Sequence, residues 1–504
     1  MSVARNVVAN FLGQGWVAIM NLAFIPVYIR FLGLEAYGLI GLLALLQAWF
    51  TLLDLGMTPT LNREMARFTA GTHSPQSIRN LLRSLEILCF GLAALIGASL
   101  WGASGYLAKS WLKAEALPAA VVAQAISLMA LVVALRFVEG IYRGSLVGLQ
   151  RQVWYNGANA AIATVRHGGA ALVLMGISAT IQAFFLWHAL VSLVSVAILS
   201  SSVHRALPNA PLPPRFSRAS LVSVWKFGRG MMGISVAAFL LTQVDKVLLS
   251  RLLSLELFGY YTLATTLAGV TYMLVAPVTA ALFRSMVTLV TADDQAALAS
   301  MYHRGAQLVS IMTAPAAVLL CLFSGGVVFT WSGDAGLAAN AAPILSALVL
   351  GTFLNGLMWM PYQCQLAHGW TGLVFKGNIA GAAVLVPAIL WAVPRYGAIG
   401  AAWVWVAVNV GLILVVIPAM HRRLMPLEKW NWYVGDVLLP LGGAAAIVLL
   451  ATGLQPESYQ DRWHWFAFLS ITGCLALAGS AALADRFRPR LLALMLRRAG
   501  GDVC

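Results

Sequence analysis

The feature that most narrows what this chain can fold into is a train of apolar stretches, each about 20 residues long, that fills it with almost no gaps. A helix of about that length crosses a hydrocarbon core about 30 Å thick, because its backbone N–H and C=O groups are all satisfied within the segment. Hydropathy read against charged and helix-breaking residues places spans near 7–29, 37–61, 84–107, 119–142, 153–176, 181–203, 223–249, 257–281, 305–328, 341–366, 373–393, 397–420, 434–453 and 464–484. The expected fold is therefore an all-α polytopic membrane protein of about 14 transmembrane helices, with no room for a soluble domain. Of the 504 residues, 61% are hydrophobic and only 10% charged, outside the range of soluble globular domains. The first apolar run has no small-residue cleavage site, so it is expected to stay as a span.

The charges give the orientation. With the N-terminus inside, 21 of the 32 Lys and Arg fall on the inner side, among them Arg63, Arg67, Arg79, Arg83, Arg422 and Arg423. Six lie outside: Arg30, Lys109, Lys113, Arg251, Arg395 and Arg462. The positive-inside rule predicts both termini in the cytoplasm. It also explains most of the net charge of +15 without a nucleic-acid partner. The basic tail 485–504 is expected to lie against anionic lipid. Cys89, Cys321, Cys364, Cys474 and Cys504 are scattered, with no C-x-x-C pair and no histidines at metal spacing, so neither disulfides nor a metal site is expected. No Gly-rich phosphate cradle is present, so ATP is not the expected energy source, and no cofactor is implied.

A shift of 221 residues lays "RFLGLEAYGLIGLL" from Arg30 over "RLLSLELFGYYTLA" from Arg251, with 12 identities between Arg30 and Met65. They include Leu34/Leu255, Glu35/Glu256, Gly38/Gly259, Thr58/Thr279 and Arg63/Arg284; farther on, Tyr142/Tyr362 and Gly157/Gly377 match at a shift of 220. Six spans separate equivalent points, so the repeats have the same orientation and are related by an axis along the membrane normal. The expected organisation is a six-helix lobe over 1–203, a cytoplasmic linker over 204–221, a second six-helix lobe over 222–421, two extra helices over 422–484 and the tail. Pro208, Pro211, Pro213 and Pro214 forbid helix in the linker. In a transporter built from repeats, the cargo site lies between them.

Polar residues mark the helix faces that avoid lipid. Asn6, Asn10, Gln14 and Asn21 fall within about 80° on span 1, and Gln47, Thr51, Asp54 and Thr58 within about 60° on span 2. Asp54 has no repeat, since its equivalent is Val275. Span 4 carries Arg136, Glu139 and Arg143 on one face, where Glu139 can pair with either neighbour. Span 5 gathers Asn156, Asn159, Arg166 and His167 within about 100°. Each has a plain structural alternative: an ion pair between helices for Arg136, Glu139 and Arg166, packing for His167 and His188, and a snorkelling side chain for Lys246. Counted together, the interior cations Arg136, Arg166, Lys226, Arg229, Lys246 and Lys376 outnumber the carboxylates Asp54, Glu139 and Asp245. A low-dielectric cavity with that excess favours an anion. The expected substrate contacts are Arg136, Arg166, Lys246, Arg229, Lys376, Asn10, Gln14 and Asn21, and the expected ion-coupling carboxylates are Asp54, Glu139 and Asp245.

The opening of the chain resembles a known family. The outer turn with Arg30, Leu32, Gly33, Tyr37 and Gly38, the span ending at Asp54, Leu55 and Gly56, and the charged exit with Arg63, Ala66 and Arg67 are similar to those of Wzx-type polysaccharide-biosynthesis flippases. These share a superfamily with multidrug and toxic-compound extrusion transporters and lipid II flippases. The resemblance implies two six-helix lobes in a V, with two further helices in some members. It also implies an undecaprenyl-diphosphate-linked oligosaccharide, the repeat unit of O-antigen, capsule or exopolysaccharide, as cargo, moved from the inner to the outer leaflet and coupled to an ion gradient. The implied partners are that lipid-linked glycan, the bilayer, and polymerase or glycosyltransferase machinery. A lipid II flippase shares the anionic cargo and the span count. A drug/cation antiporter of the same fold would want carboxylates in excess, and a membrane enzyme would want a larger extramembrane loop than this chain has.

Overall fold

The computed structural model describes residues 3–54, 56–456 and 458–486, with the side chains of 3–9, 51, 219–235 and 277 outside the description. Asn6, Lys226, Arg229 and the tail beyond Arg486 therefore lie outside the described side chains. Among the described residues every regular element is helical, and ten helices are long and apolar enough to cross a membrane, with a shorter apolar helix at Leu34–Phe50. Fourteen crossings are compatible with this set, because several of the expected spans are broken or merged. By packing, the chain forms two compact units, Met1–Phe239 with Leu249–Gly259, and Leu240–Leu248 with Tyr260–Cys504.

In the first unit, α1 (Val3–Ala23) and α2 (Ile25–Leu32) make one expected span, broken just before Pro26, whose ring lacks the N–H that would continue the helix. The second expected span is broken too. α3 (Leu34–Leu52) ends, the chain passes Asp54 and a left-handed Gly56 (φ 81°), and α4 (Met57–Thr69) begins. α5 (Pro75–Tyr106), α6 (Ala119–Gly148), α7 (Gln152–Gly176) and α8 (Ile181–Ala206) follow as long helices, with α6 packed against α3, α4, α5 and α8. The close approach of α4 to α6 depends on Gly140, Gly144 and Gly148 at every fourth position. A β-carbon at Gly144 would lie 2.5 Å from the Thr58 carbonyl oxygen, so only glycine lets the backbones meet, as in small-xxx-small membrane contacts. Met57, Leu61 and Met65 of α4 then join Tyr142 and Leu146 of α6 in a buried apolar cluster.

The proline-rich linker is held against α5. Gln76, Asn80 and Ser84, one helical turn apart, accept the backbone N–H groups of Leu212 (3.1 Å), Arg215 (2.9 Å) and Ser217 (2.8 Å). Arg79 on the same helix donates to the carbonyls of Leu207 (3.0 Å) and Pro208 (2.8 Å). The linker thus satisfies on a neighbouring helix the backbone groups that its prolines keep out of a helix of its own. α9 (Arg218–Leu252) leads on to the second repeat.

α10 (Leu255–Ala268) and α11 (Val270–Thr291) form one expected span, as do α12 (Gln295–Leu322) with α13 (Ser324–Ser332) and α14 (Ala335–Leu357) with α15 (Trp359–Ala367). α16 (Gly372–Leu424) joins two expected spans at Gly397, whose φ of 63° and ψ of −149° interrupt the helix. A π-helical segment, Asn431–Leu438, leads into α17 (Leu439–Ala451), which packs on α18 (Arg462–Ala482). In the second unit one end of α12 is a hub. The buried His303 ring is hydrogen-bonded through one nitrogen to Asp436 and through the other to Glu428 (2.9 Å). Gln307 donates to the Gly435 carbonyl (3.0 Å) and Asp485 (2.7 Å) and accepts from the Arg486 N–H (3.2 Å), while Tyr302 reaches His421 (3.2 Å). The helices after Leu424 are fastened to α12 by polar bonds as well as by packing.

Candidate functional site

The charged residues predicted for the interior of the first lobe come together where α3, α6, α7 and α8 meet. Arg136 of α6 donates to Gln47 Oε1 of α3 (2.7 Å), and Arg166 of α7, 9% exposed, donates to Glu139 Oε1 of α6 (3.2 Å). Glu139 therefore pairs across helices and not with Arg136 or Arg143 on its own helix. This corrects the expectation from spacing: a neighbouring helix can bring a guanidinium head-on to the carboxylate, whereas two long side chains on one helix meet only sideways. Arg166 alone reaches the carboxylate, while Arg136 is held by the Gln47 amide and feels the charges of both Arg166 and Glu139.

The site holds unused hydrogen-bonding capacity. The buried Nε atoms of Arg136 and Arg166, both ring nitrogens of His188 and Ser192 Oγ have no hydrogen-bond partner among the described residues. Buried polar groups are almost always paired, so such a concentration of unpaired polar atoms, the two guanidinium N–H groups among them, marks a place suited to an anion or water. His188 packs on Phe184, with ring centroids 4.2 Å apart. His167 is tied to Tyr28 of α2, whose hydroxyl lies 3.2 Å from His167 Nδ1 and donates to the His167 carbonyl (3.0 Å).

Asp54 sits in the break between α3 and α4. It accepts the Thr58 hydroxyl (2.8 Å) and the Thr58 N–H (3.1 Å), so it satisfies the exposed start of α4 as an N-terminal cap does. Asn10, Gln14 and Asn21 are exposed along α1, and Asn10 accepts from Asn156 Nδ2 of α7 (3.0 Å). In the second unit Asp245 accepts from Tyr261 (2.7 Å), with Lys246 Nζ 3.6 Å from its other oxygen. Lys246 also donates to the Thr242 carbonyl (2.9 Å), and Lys376 is exposed on α16.

Sequence reasoning missed Tyr28 and Tyr261, and it missed a neutral chain in the second unit. There Tyr272 donates to Asn355 (3.0 Å), Asn355 to Asn409 (2.8 Å), and Asn409 to the Trp405 carbonyl (2.8 Å). The two asparagines stand in otherwise apolar runs, which was the available signal; charge counting passes over amides.

A family model described as "Polysaccharide biosynthesis protein" matches residues 27–335. The chain belongs to that family. Among curated relatives, this polysaccharide biosynthesis protein is 21% identical over 429 residues to a Shigella flexneri protein that carries the name of an O-antigen transporter, covering 84% of this chain and 99% of the relative. Its fold is similar to that of the lipid II flippase MurJ in an inward closed conformation, with a TM-score of 0.69 at 14% identity, covering 96% of this chain and 99% of that one. That coverage is too high to leave out both helices that follow Leu424. An inward-facing multidrug resistance MATE family transporter of the MOP superfamily gives a TM-score of 0.64 at 15% identity over 82% of this chain and 96% of its own. The resemblance first drawn from Arg30–Arg67 holds: this is a multi-pass membrane protein of the Wzx type, with the fold of that superfamily.

Proposed function

We propose that the protein is a flippase that carries an undecaprenyl-diphosphate-linked oligosaccharide from the inner to the outer leaflet of the bacterial cytoplasmic membrane by alternating access, with both termini in the cytoplasm. The observation that carries this reading is the group of two arginines and one carboxylate, in which Glu139 pairs with Arg166 while Arg136 is held only by the neutral Gln47 amide among the described contacts. Such a site attracts a diphosphate and repels a cationic drug, because fixed charge acts strongly where water is excluded. In the second unit Lys246 and Lys376 are the cations assigned to the cargo, and the amides of Asn10, Gln14 and Asn21, exposed along α1, suit sugar hydroxyls. Asp54, Glu139 and Asp245 are the carboxylates through which an ion gradient would couple. The cargo crosses without a chemical step.

The test is reconstitution in liposomes with a fluorescent polyprenyl-diphosphate-linked glycan, read by its appearance in the opposite leaflet with the diphosphate intact. The parent protein moves it, and Arg136→Ala and Arg166→Ala do not, though both insert. Normal transport by both variants would end the cationic-site reading, and preference for lipid II in the same assay would reassign the cargo.

A further inference from the structure

The repeated motif Leu34-Glu35-x-x-Gly38 and Leu255-Glu256-x-x-Gly259 packs against its own copy. Both copies lie within the first compact unit, although the second belongs by sequence to the second repeat. The contact is reciprocal. A β-carbon on Gly259 would lie 2.6 Å from the Leu34 carbonyl oxygen and 3.4 Å from the Gly38 N, and one on Gly38 would overlap the Leu255 carbonyl oxygen. Each glycine is thus required by the other copy's backbone.

The loop 107–117 is sewn onto the same hairpin. The Leu255 N–H donates to the Lys113 carbonyl (2.8 Å), and Lys113 and Ser254 form an isolated parallel bridge. Lys113 Nζ donates to the Leu252 carbonyl (2.9 Å), Trp111 Nε1 to Ser250 Oγ (3.0 Å), and the Arg251 guanidinium lies 5.1 Å from the centre of the Trp111 ring. Glu35 fixes the far end of that loop by accepting the N–H groups of Glu115 (2.6 Å), Ala116 (2.8 Å) and Leu117 (3.0 Å). Its copy Glu256 is exposed, so the clasp is single although the glycine contact is double.

This seam differs from the α4–α6 glycine contact. There two helices of one repeat meet, whereas here two copies of one motif meet, with Leu112, Leu253, Leu255 and Phe258 buried beside the hydrogen bonds that tie the loop to the hairpin. All of these groups lie at the end of the helices that the charge count assigns to the outside. We propose that the paired L-E-x-x-G turns and the loop sewn to them form the outer seal of the transport path, a strap that undocks each time cargo leaves toward the outer leaflet. This rests on the transport reading above.

The test is a full-length Lys113→Cys/Ser254→Cys chain in a background with the native cysteines replaced. Residues opposed in a bridge lie within the Cα separation of about 4.4–6.8 Å that a disulfide spans. Under reducing conditions the cells export glycan, and oxidation stops export until reductant is added. A cross-linked protein that exports at the reduced rate overturns the proposal. Should the reduced double variant itself be inactive, Gly259→Val provides the second arm, read through a single cysteine at Ser254. Overpacking the closed seam should raise labelling by a membrane-impermeant maleimide by about fivefold or more, and unchanged labelling overturns the proposal. Labelling is run with and without the lipid-linked precursor. A seam that opens while glycan export is independent of the protein sinks the cargo reading and leaves the seal standing.

Discussion

The two repeats share a scaffold but divide the polar work unequally. In the first, Arg136, Glu139 and Arg166 form a buried charged group. At a shift of 220 the corresponding positions in the second are Gly356, Trp359 and Val386. The second repeat instead builds the neutral chain Tyr272–Asn355–Asn409. The α4–α6 contact made by Gly140, Gly144 and Gly148 faces Met360, Cys364 and His368 at the equivalent places, so the copy of this contact is filled by side chains. Duplication therefore supplied two similar frames, and at these equivalent positions only the first carries charge.

The largest expected effect comes from the charged group. Arg166→Ala should abolish surface-glycan export and lower protein yield, since breaking a buried ion pair from one side costs about 3–5 kcal/mol. Adding Glu139→Gln should restore yield but not export; recovery of both, read by immunoblot and surface-glycan staining, would make the pair purely structural and erase the contrast between the repeats. Next comes the packing contrast. Gly144→Val should lower stability in detergent by about 1–3 kcal/mol, while the equivalent Cys364→Val should cost less than about 1.5 kcal/mol. Thermal unfolding of the two variants side by side measures the difference, and equal losses would mean that the contacts are equivalent.

Smaller still is the neutral chain: Asn355→Ala should cost about 0.6 kcal/mol and at most about 1.7, the range for hydrogen bonds between membrane helices, with export retained. The smallest effect concerns Glu428, outside the spans. Asn431 donates to its carboxylate (2.7 Å) and His303 is bonded to it, which together hold its pKa below the ordinary 4.5. A depressed carboxylate stabilises the fold above its unfolded pKa and loses that contribution as pH falls through the folded value. Stability should therefore drop slightly more between pH 5 and pH 3 in the parent than in Glu428→Gln, as thermal melts at a series of pH values would report.

Much of this was legible in the sequence. Apolar length located the helices, and the 221-residue shift exposed the duplication, because both follow from rules local to one helix. Helix faces put Gln47, Arg136, Glu139 and Arg166 on the polar stripes of three separate spans, and the structure joins them in pairs across helices. What one helix cannot reveal is the partner on the next. Glu139 looked able to pair within α6 and pairs with α7 instead, and Asp54, read as one member of a polar stripe along an unbroken span, lies at a helix break and accepts from Thr58 at the start of α4. The break at Asp54 could have been suspected from Gly56, whose positive φ ends the run. The amide chain could not be assembled at all, since α11, α14 and α16 are far apart in sequence.

The hub on α12 bears on how much of the chain can be removed. Cutting after Leu424 would strip His303 of both carboxylates and Gln307 of Gly435, Asp485 and Arg486, orphaning polar groups on a helix where they are now buried. The last two helices are thus not a detachable accessory. In a shortened version of this chain, His303 and Gln307 would need water or new side chains in place of these partners.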